Sequence, residues 1–276
     1  MTHFKRTTSF ISGLIVLMMT SSCAVSTGEV VYPLPKNRFL YMEGIKARTF
    51  GVSTICFLEE RFQEIFEKLK GTKPGPVKKG GTGVVLRSTK DVSYILTAAH
   101  VVDGNFLMQC SMITVNSNDG KRRYVAKVVK SSKADDIALL EVKGNLGYGT
   151  TVAKSSYVGQ TIIAAGFPAL DMFDEDVEKE SVSISEGTLA TNLTDANSEL
   201  FRIRYTAPSY YGSSGGPVFD EGGNVVGIVS MMRGALGITG PRDTEFLPRD
   251  GNYYAVPYNL IRKLIKSSGV KTLEKM

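Results

Sequence analysis

Three residues set far apart along this chain have the types needed to make an alcohol attack a carbonyl. Ser214 lies in Tyr211-Gly212-Ser213-Ser214-Gly215-Gly216-Pro217, a glycine cluster between polar loop residues and the apolar Val218-Phe219. A serine hydroxyl becomes a nucleophile only when a base takes its proton and donors receive the charge that develops on the carbonyl oxygen. Glycines let the backbone turn its N–H groups toward one point, so Gly212 and Ser214 are the expected oxyanion donors. His100, at the end of the β-rich run Tyr94-Ile95-Leu96-Thr97-Ala98-Ala99, is the expected base. Asp136 opens the run Ile137-Ala138-Leu139-Leu140-Glu141-Val142 and has the charge to orient an imidazole. Asp135 stands beside it, yet successive side chains at a strand mouth face opposite ways, so only one of the two should reach the histidine. The glycine string by itself also reads as a plain turn; the histidine and aspartate segments decide for chemistry.

Thr97-Ala98-Ala99-His100, Asp136-Ile137-Ala138-Leu139-Leu140 and Gly212-Ser213-Ser214-Gly215-Gly216-Pro217 resemble, in this order, the three motifs of trypsin-like (chymotrypsin-fold) serine proteases. Gly223-Asn224-Val225-Val226-Gly227-Ile228-Val229-Ser230 and Tyr254-Ala255-Val256-Pro257-Tyr258-Asn259-Leu260-Ile261 extend the resemblance to the protease domain of bacterial HtrA-type envelope proteases, over about residues 47 to 265. The resemblance implies a His100-Asp136-Ser214 triad, Asp136 rather than Asp135 as its acid, and cleavage of polypeptides through an acyl-enzyme. It implies a cleft between two barrels, with the histidine and aspartate from the first and the serine from the second. It also puts Pro208 at the base of the substrate pocket and Ser230, Met231 and Met232 on its wall. No charge sits there to select lysine or arginine, and flexible methionines suit small to medium aliphatic groups. The rival expectation is a catalytically inactive binding protein of the same fold.

The elements that must position these residues read as short strands. Thr49 to Phe57, Val84 to Leu86, Ser93 to Thr97, Ser111 to Val115, Arg123 to Val129 and Ile137 to Val142 alternate with Gly/Asn/Asp/Ser turns, the pattern of a small antiparallel barrel. Residues 143 to 156 connect to a second set at Thr161 to Pro168, Ser181 to Ser185, Leu200 to Tyr205, Val225 to Met231 and Tyr253 to Val256. The expected fold is all-β: two six-stranded antiparallel barrels, about residues 47 to 145 and 155 to 257, and a short C-terminal helix over about 257 to 266. Between the first two strands, Leu58, Phe62, Ile65, Phe66 and Leu69 follow a helical rhythm across Glu59 to Lys70, ended by Gly71 and Pro74. That helix either covers one end of the barrel or, as the resemblance suggests for an insertion at this place, contacts a neighbouring subunit.

Residues 1 to 22 read as a secretory signal: Lys5 and Arg6 precede an uncharged stretch from Thr7 to Ser22, short for a membrane span. The small residues before Cys23 resemble a bacterial lipobox, with Thr20 departing from the usual leucine. Lipidation of Cys23 and cleavage at an ordinary signal site are the two alternatives. A lipidated Cys23 followed by Ala24 favours the outer membrane, so the expected location is the envelope, periplasmic and anchored. Residues 23 to 46, with Pro33 and Pro35, read as a tether. Cys56 and Cys110 either form a disulfide or remain separately buried thiols. No clustered Cys/His set supports a metal and no cofactor is expected. A net charge of +6 without a long basic run argues against a nucleic-acid partner. After the last helix the chain has no room for a PDZ module, which leaves a monomer and a trimer both open.

Overall fold

Strands that are apolar on both faces must be covered on both faces, and this requirement organises the molecule. In the computed structural model, which describes residues 36–105, 107–168, 182–193, 202–230 and 253–274, the run from Ile137 divides its side chains between two cores. Ala138 and Leu140 point into the first barrel with Val52, Val85, Ile95 and Val115. Ile137 and Leu139 point out of it, into a layer shared with Ile163, Ala165, Phe219 and Ile228 of the second barrel. A third cluster, including Ile162, Leu189, Tyr205 and Val226, fills the second barrel.

The first barrel contains β1 (Thr49–Leu58), β2 (Val77–Ser88), β3 (Val92–Thr97), β4 (Met108–Asn116), β5 (Arg123–Ser132) and β6 (Ile137–Lys143). It closes in the order β1-β2-β3-β6-β5-β4. The second contains β7 (Thr161–Gly166), β8 (Ser183–Leu193), β9 (Arg202–Tyr205), β10 (Pro217–Asp220), β11 (Val225–Val229) and β12 (Tyr253–Pro257), closed as β10-β11-β12-β9-β8-β7. Neighbouring strands are antiparallel throughout. Two six-stranded barrels and a C-terminal helix are what the sequence predicts.

Among the described residues, four helices accompany them. The stretch expected as a tether runs to residue 46, but α1 occupies Lys36–Arg48. Its inward residues are few: Ile45 is buried, Tyr41 and Met42 pack beside it, and the Tyr41 hydroxyl donates to the Asp220 carbonyl of β10. α2 (Glu60–Lys70) lies between β1 and β2 as expected, capped by Gly71 at φ 72°, and none of its residues is buried. It therefore does not cover the barrel end. α3 (Ala99–Val102) is a single turn after β3, and α4 (Tyr258–Ser267) sends Ile261, Leu264 and Ile265 into the shared layer. Cys56 and Cys110 form a disulfide across β1 and β4.

Candidate active site

α3 buries Ala99, Val101 and Val102 and leaves His100 at the surface, its side chain 30% exposed. Facing it, Asp136 ends the turn from β5 into β6 with φ 55°, a left-handed conformation that aspartate tolerates better than most residues. The Asp136 carboxylate is buried and fully engaged. His100 Nδ1 lies 2.9 Å from each of its oxygens, the His100 backbone N–H donates to Oδ1 at 3.0 Å, and the Ser230 hydroxyl donates to Oδ2 at 2.6 Å. Burial pushes this carboxyl up, but the hydrogen bond and charge of His100, then Ser230 and the His100 amide, outweigh it and hold the group below the ordinary aspartate value of 3.8. An ionised carboxylate only accepts, so Nδ1 carries the ring proton and Nε2 is left as the basic nitrogen. Asp135 turns elsewhere, accepting from the Ser132 hydroxyl at 2.8 Å.

Ser214 sits in the connection from β9 to β10. The N–H groups around it are committed: Ser213 to the Tyr210 carbonyl at 2.9 Å, Gly215 to Val229 and Gly216 to Ser213, both at 2.8 Å. Among the described residues, none accepts from the N–H of Gly212 or of Ser214 itself. Gly212 and Gly215 both take φ 86°. At Gly215 the absence of a side chain is also a matter of space, because a Cβ would stand 2.2 Å from the Thr82 carbonyl and 2.3 Å from Thr97 Oγ1.

Those two atoms belong to the first barrel, and Thr82 on β2 is the joint between the halves. Its N–H donates to the Ser214 carbonyl at 2.8 Å and its hydroxyl to the Gly212 carbonyl at 2.7 Å. The same hydroxyl accepts from the Phe167 N–H at 3.0 Å, while its carbonyl accepts from Thr97 Oγ1 at 2.7 Å. The serine turn is thereby set against both flanks of His100. A Cβ on Gly215 would lie 2.7 Å from Ala98 N, and one on Gly81 would touch both Val101 and the Ser214 carbonyl. The resulting arrangement has a basic nitrogen, a hydroxyl and two uncommitted amides, the parts acyl transfer requires.

The remaining expected residues fall differently. Ser230 does not present its hydroxyl to a substrate pocket; it is 1% exposed and bonded to Asp136. Pro208 is exposed, and its carbonyl accepts from the Ser185 hydroxyl at 2.6 Å. Met231, Met232 and Cys23 lie outside the described residues. Two contributors had no marker in the sequence. Thr82 lies just before the strand expected from Val84, and Lys79 simply follows Lys78. Lys79 Nζ donates to the Asp103 carbonyl at 2.9 Å and the His100 carbonyl at 3.4 Å, clamping α3. Burial pushes its ammonium below the usual lysine range, with Asp103 opposing.

Residues 81–228 match the family described as the trypsin-like peptidase domain. The chain is 30% identical over 160 residues to the serine protease Do-like HtrB of Bacillus subtilis (strain 168), covering 57% of this chain and 34% of that protein. It is 30% identical over 156 residues to Do-like HtrA of the same organism, 55% of this chain and 33% of the relative. A probable periplasmic serine endoprotease DegP-like of Marinomonas sp. (strain MWYL1) is 31% identical over 184 residues, 63% of this chain and 36% of the relative. The match thus spans about a third of the length of these relatives. With the family match extending over more than half its residues, this chain belongs to the trypsin-like peptidase family.

Proposed function

We propose that the chain is an exported serine endopeptidase whose triad is His100, Asp136 and Ser214. The observation that carries this reading is the Asp136 carboxylate, which accepts a hydrogen bond from His100 Nδ1, while the Ser214 turn is bonded to Thr82, whose carbonyl accepts from Thr97 just before that histidine. In the reaction, Ser214 Oγ bonds to the scissile carbonyl carbon as its proton passes to His100 Nε2, and the C=O electron pair moves to oxygen. The Gly212 and Ser214 amides hold that oxyanion. Collapse breaks the C–N bond, the leaving amine takes the proton from His100, and water then repeats the sequence on the ester to free the acid. The substrates are polypeptides, met by a protease body of residues 47–268 beyond a signal at 1–22. Cys23 is the lipid-bearing residue at an envelope membrane.

A fluorophosphonate probe tests the chemistry. Labelling of the wild type and not of Ser214→Ala, with cleavage of an unfolded protein substrate by the wild type alone, is the expected result. A folded wild type that neither labels nor cleaves makes the chain a binding protein. Export is tested separately by palmitate incorporation in a bacterial host, expected for the wild type and lost in Cys23→Ser.

A further inference from the structure

Two helices of this chain are amphipathic and of nearly equal length, and only one of them is packed. α4 buries Ile261, Leu264 and Ile265. In α2 no residue is buried, and Ile65, Phe66 and Leu69 are 53%, 39% and 77% exposed. At its root Phe57 and Val77 are exposed as well. An apolar face left open on a folded element marks a contact surface.

The element is held in place. The Cys56–Cys110 disulfide closes the end of β1, the Glu59 N–H donates to the Leu107 carbonyl at 2.9 Å, and the Gln63 side chain donates to the Leu58 carbonyl. Gly71 finishes the far end, its N–H on the Glu67 carbonyl at 2.7 Å.

The charges around the stripe identify what covers it. At about 3.6 residues per turn, Phe62, Ile65, Phe66 and Leu69 fall on one side of the helix. Arg61 and Lys68 fall along one margin of that stripe and Lys70 along the other, while Glu60, Glu64 and Glu67 fall on the opposite side. Stripe-to-stripe pairing with a second copy would bring basic margin against basic margin, which like charges oppose. A surface that is apolar in its depth and negative all around suits this pattern: the stripe enters the acyl region and the long cationic side chains reach sideways to phosphates. Lys73 and Lys78, both exposed, add cations where the chain leaves the helix. No described helix is long and apolar enough to cross a membrane, so the contact is one of lying on the surface.

We propose that α2 docks the folded body on an anionic lipid surface, its Phe62-Ile65-Phe66-Leu69 stripe buried at the headgroup boundary and Lys68 and Lys70 on the phosphates. The proposal is independent of the peptidase reading and goes beyond it.

The chain contains no tryptophan, so Leu69→Trp in the full chain places a single reporter on the stripe. Its emission should shift to the blue with phosphatidylglycerol vesicles and be quenched when the acyl chains are brominated. With phosphatidylcholine vesicles the partition should be at least about ten-fold weaker. Adding Lys68→Glu and Lys70→Glu should remove that preference while circular dichroism and peptidase activity stay unchanged. The reporter reads the helix itself, whatever the N-terminal segment does at the vesicle. Emission unmoved by either lipid overturns the proposal. So does an equal response to both lipids, or a lipid-free blue shift that grows with protein concentration alongside dimers in sedimentation, which assigns the stripe to a second copy.

Discussion

The two halves of the site are held by different means. On the first barrel, His100 and Asp136 are fixed by side-chain hydrogen bonds to each other, and from the second barrel the Ser230 hydroxyl adds a bond to Asp136. On the second, Ser214 is held through the backbone, and the bonds that set its turn against the histidine come from Thr82 of the first. The proposed base is thus organised inside one barrel, whereas the position of the proposed nucleophile is a property of the joint. A site divided in this way concentrates chemistry in one half and alignment in the other.

Asp136→Asn should break the comparison most severely. The amide can stabilise the wrong imidazole tautomer, and kcat for peptide hydrolysis should drop about 10⁴-fold with the fold intact. The same variant has a signature in acid. Because the folded carboxyl lies below 3.8, Asp136 contributes stability that is fully present above that value and lost as pH falls through the folded value. Thermal unfolding below about pH 4 should therefore be less pH-dependent in the amide variant than in the wild type. Thr82→Val attacks the joint instead: it removes the donor to Gly212 and strands the Phe167 N–H, and kcat should fall about 100-fold. Its acid limb should keep the wild-type shape, since the pair on the first barrel is untouched. A Thr82→Val enzyme within two-fold of wild type would show that the joint does not align the serine.

Ser230→Ala tests the hydroxyl bond that crosses from the second barrel to Asp136. It should cost roughly ten-fold in kcat, with its acid unfolding limb moved to higher pH because Asp136 loses a donor to its charged form. Tyr41→Phe, remote from both halves, should leave kcat unchanged and lose about 1 kcal/mol from the bond to Asp220. The Tyr41 phenol is pushed up to about 12 by burial and by Asp220. Its stability contribution is complete below pH 10 and is lost as pH rises toward 12, so the phenylalanine variant should unfold with a flatter alkaline limb.

What could be read from the sequence follows the same division. His100, Asp136 and Ser214, the proposed triad, could be singled out because each combines a reactive side chain with a distinctive neighbourhood, and the barrels were legible from short apolar runs between turns. Thr82 was not, because its partners Gly212 and Phe167 lie 130 and 85 residues away and a threonine after glycines has no local signature. Ser230 was assigned by alignment to a pocket wall, and only the folded chain shows its hydroxyl on a carboxylate 94 residues away. α1 escaped notice because, among its described residues, only Tyr41, Met42 and Ile45 pack on the core, too few to write a helical rhythm after two prolines. For α2 the rhythm was plain, but periodicity says that a face is apolar without saying what meets it.

The closure of both barrels has one more outcome. Among the described residues a ring of strands has no first or last member, so neither barrel carries an outer strand open along its whole length to a passing extended chain. For a molecule proposed to work among unfolded polypeptides, this shortens the template on which substrate and enzyme would otherwise co-aggregate.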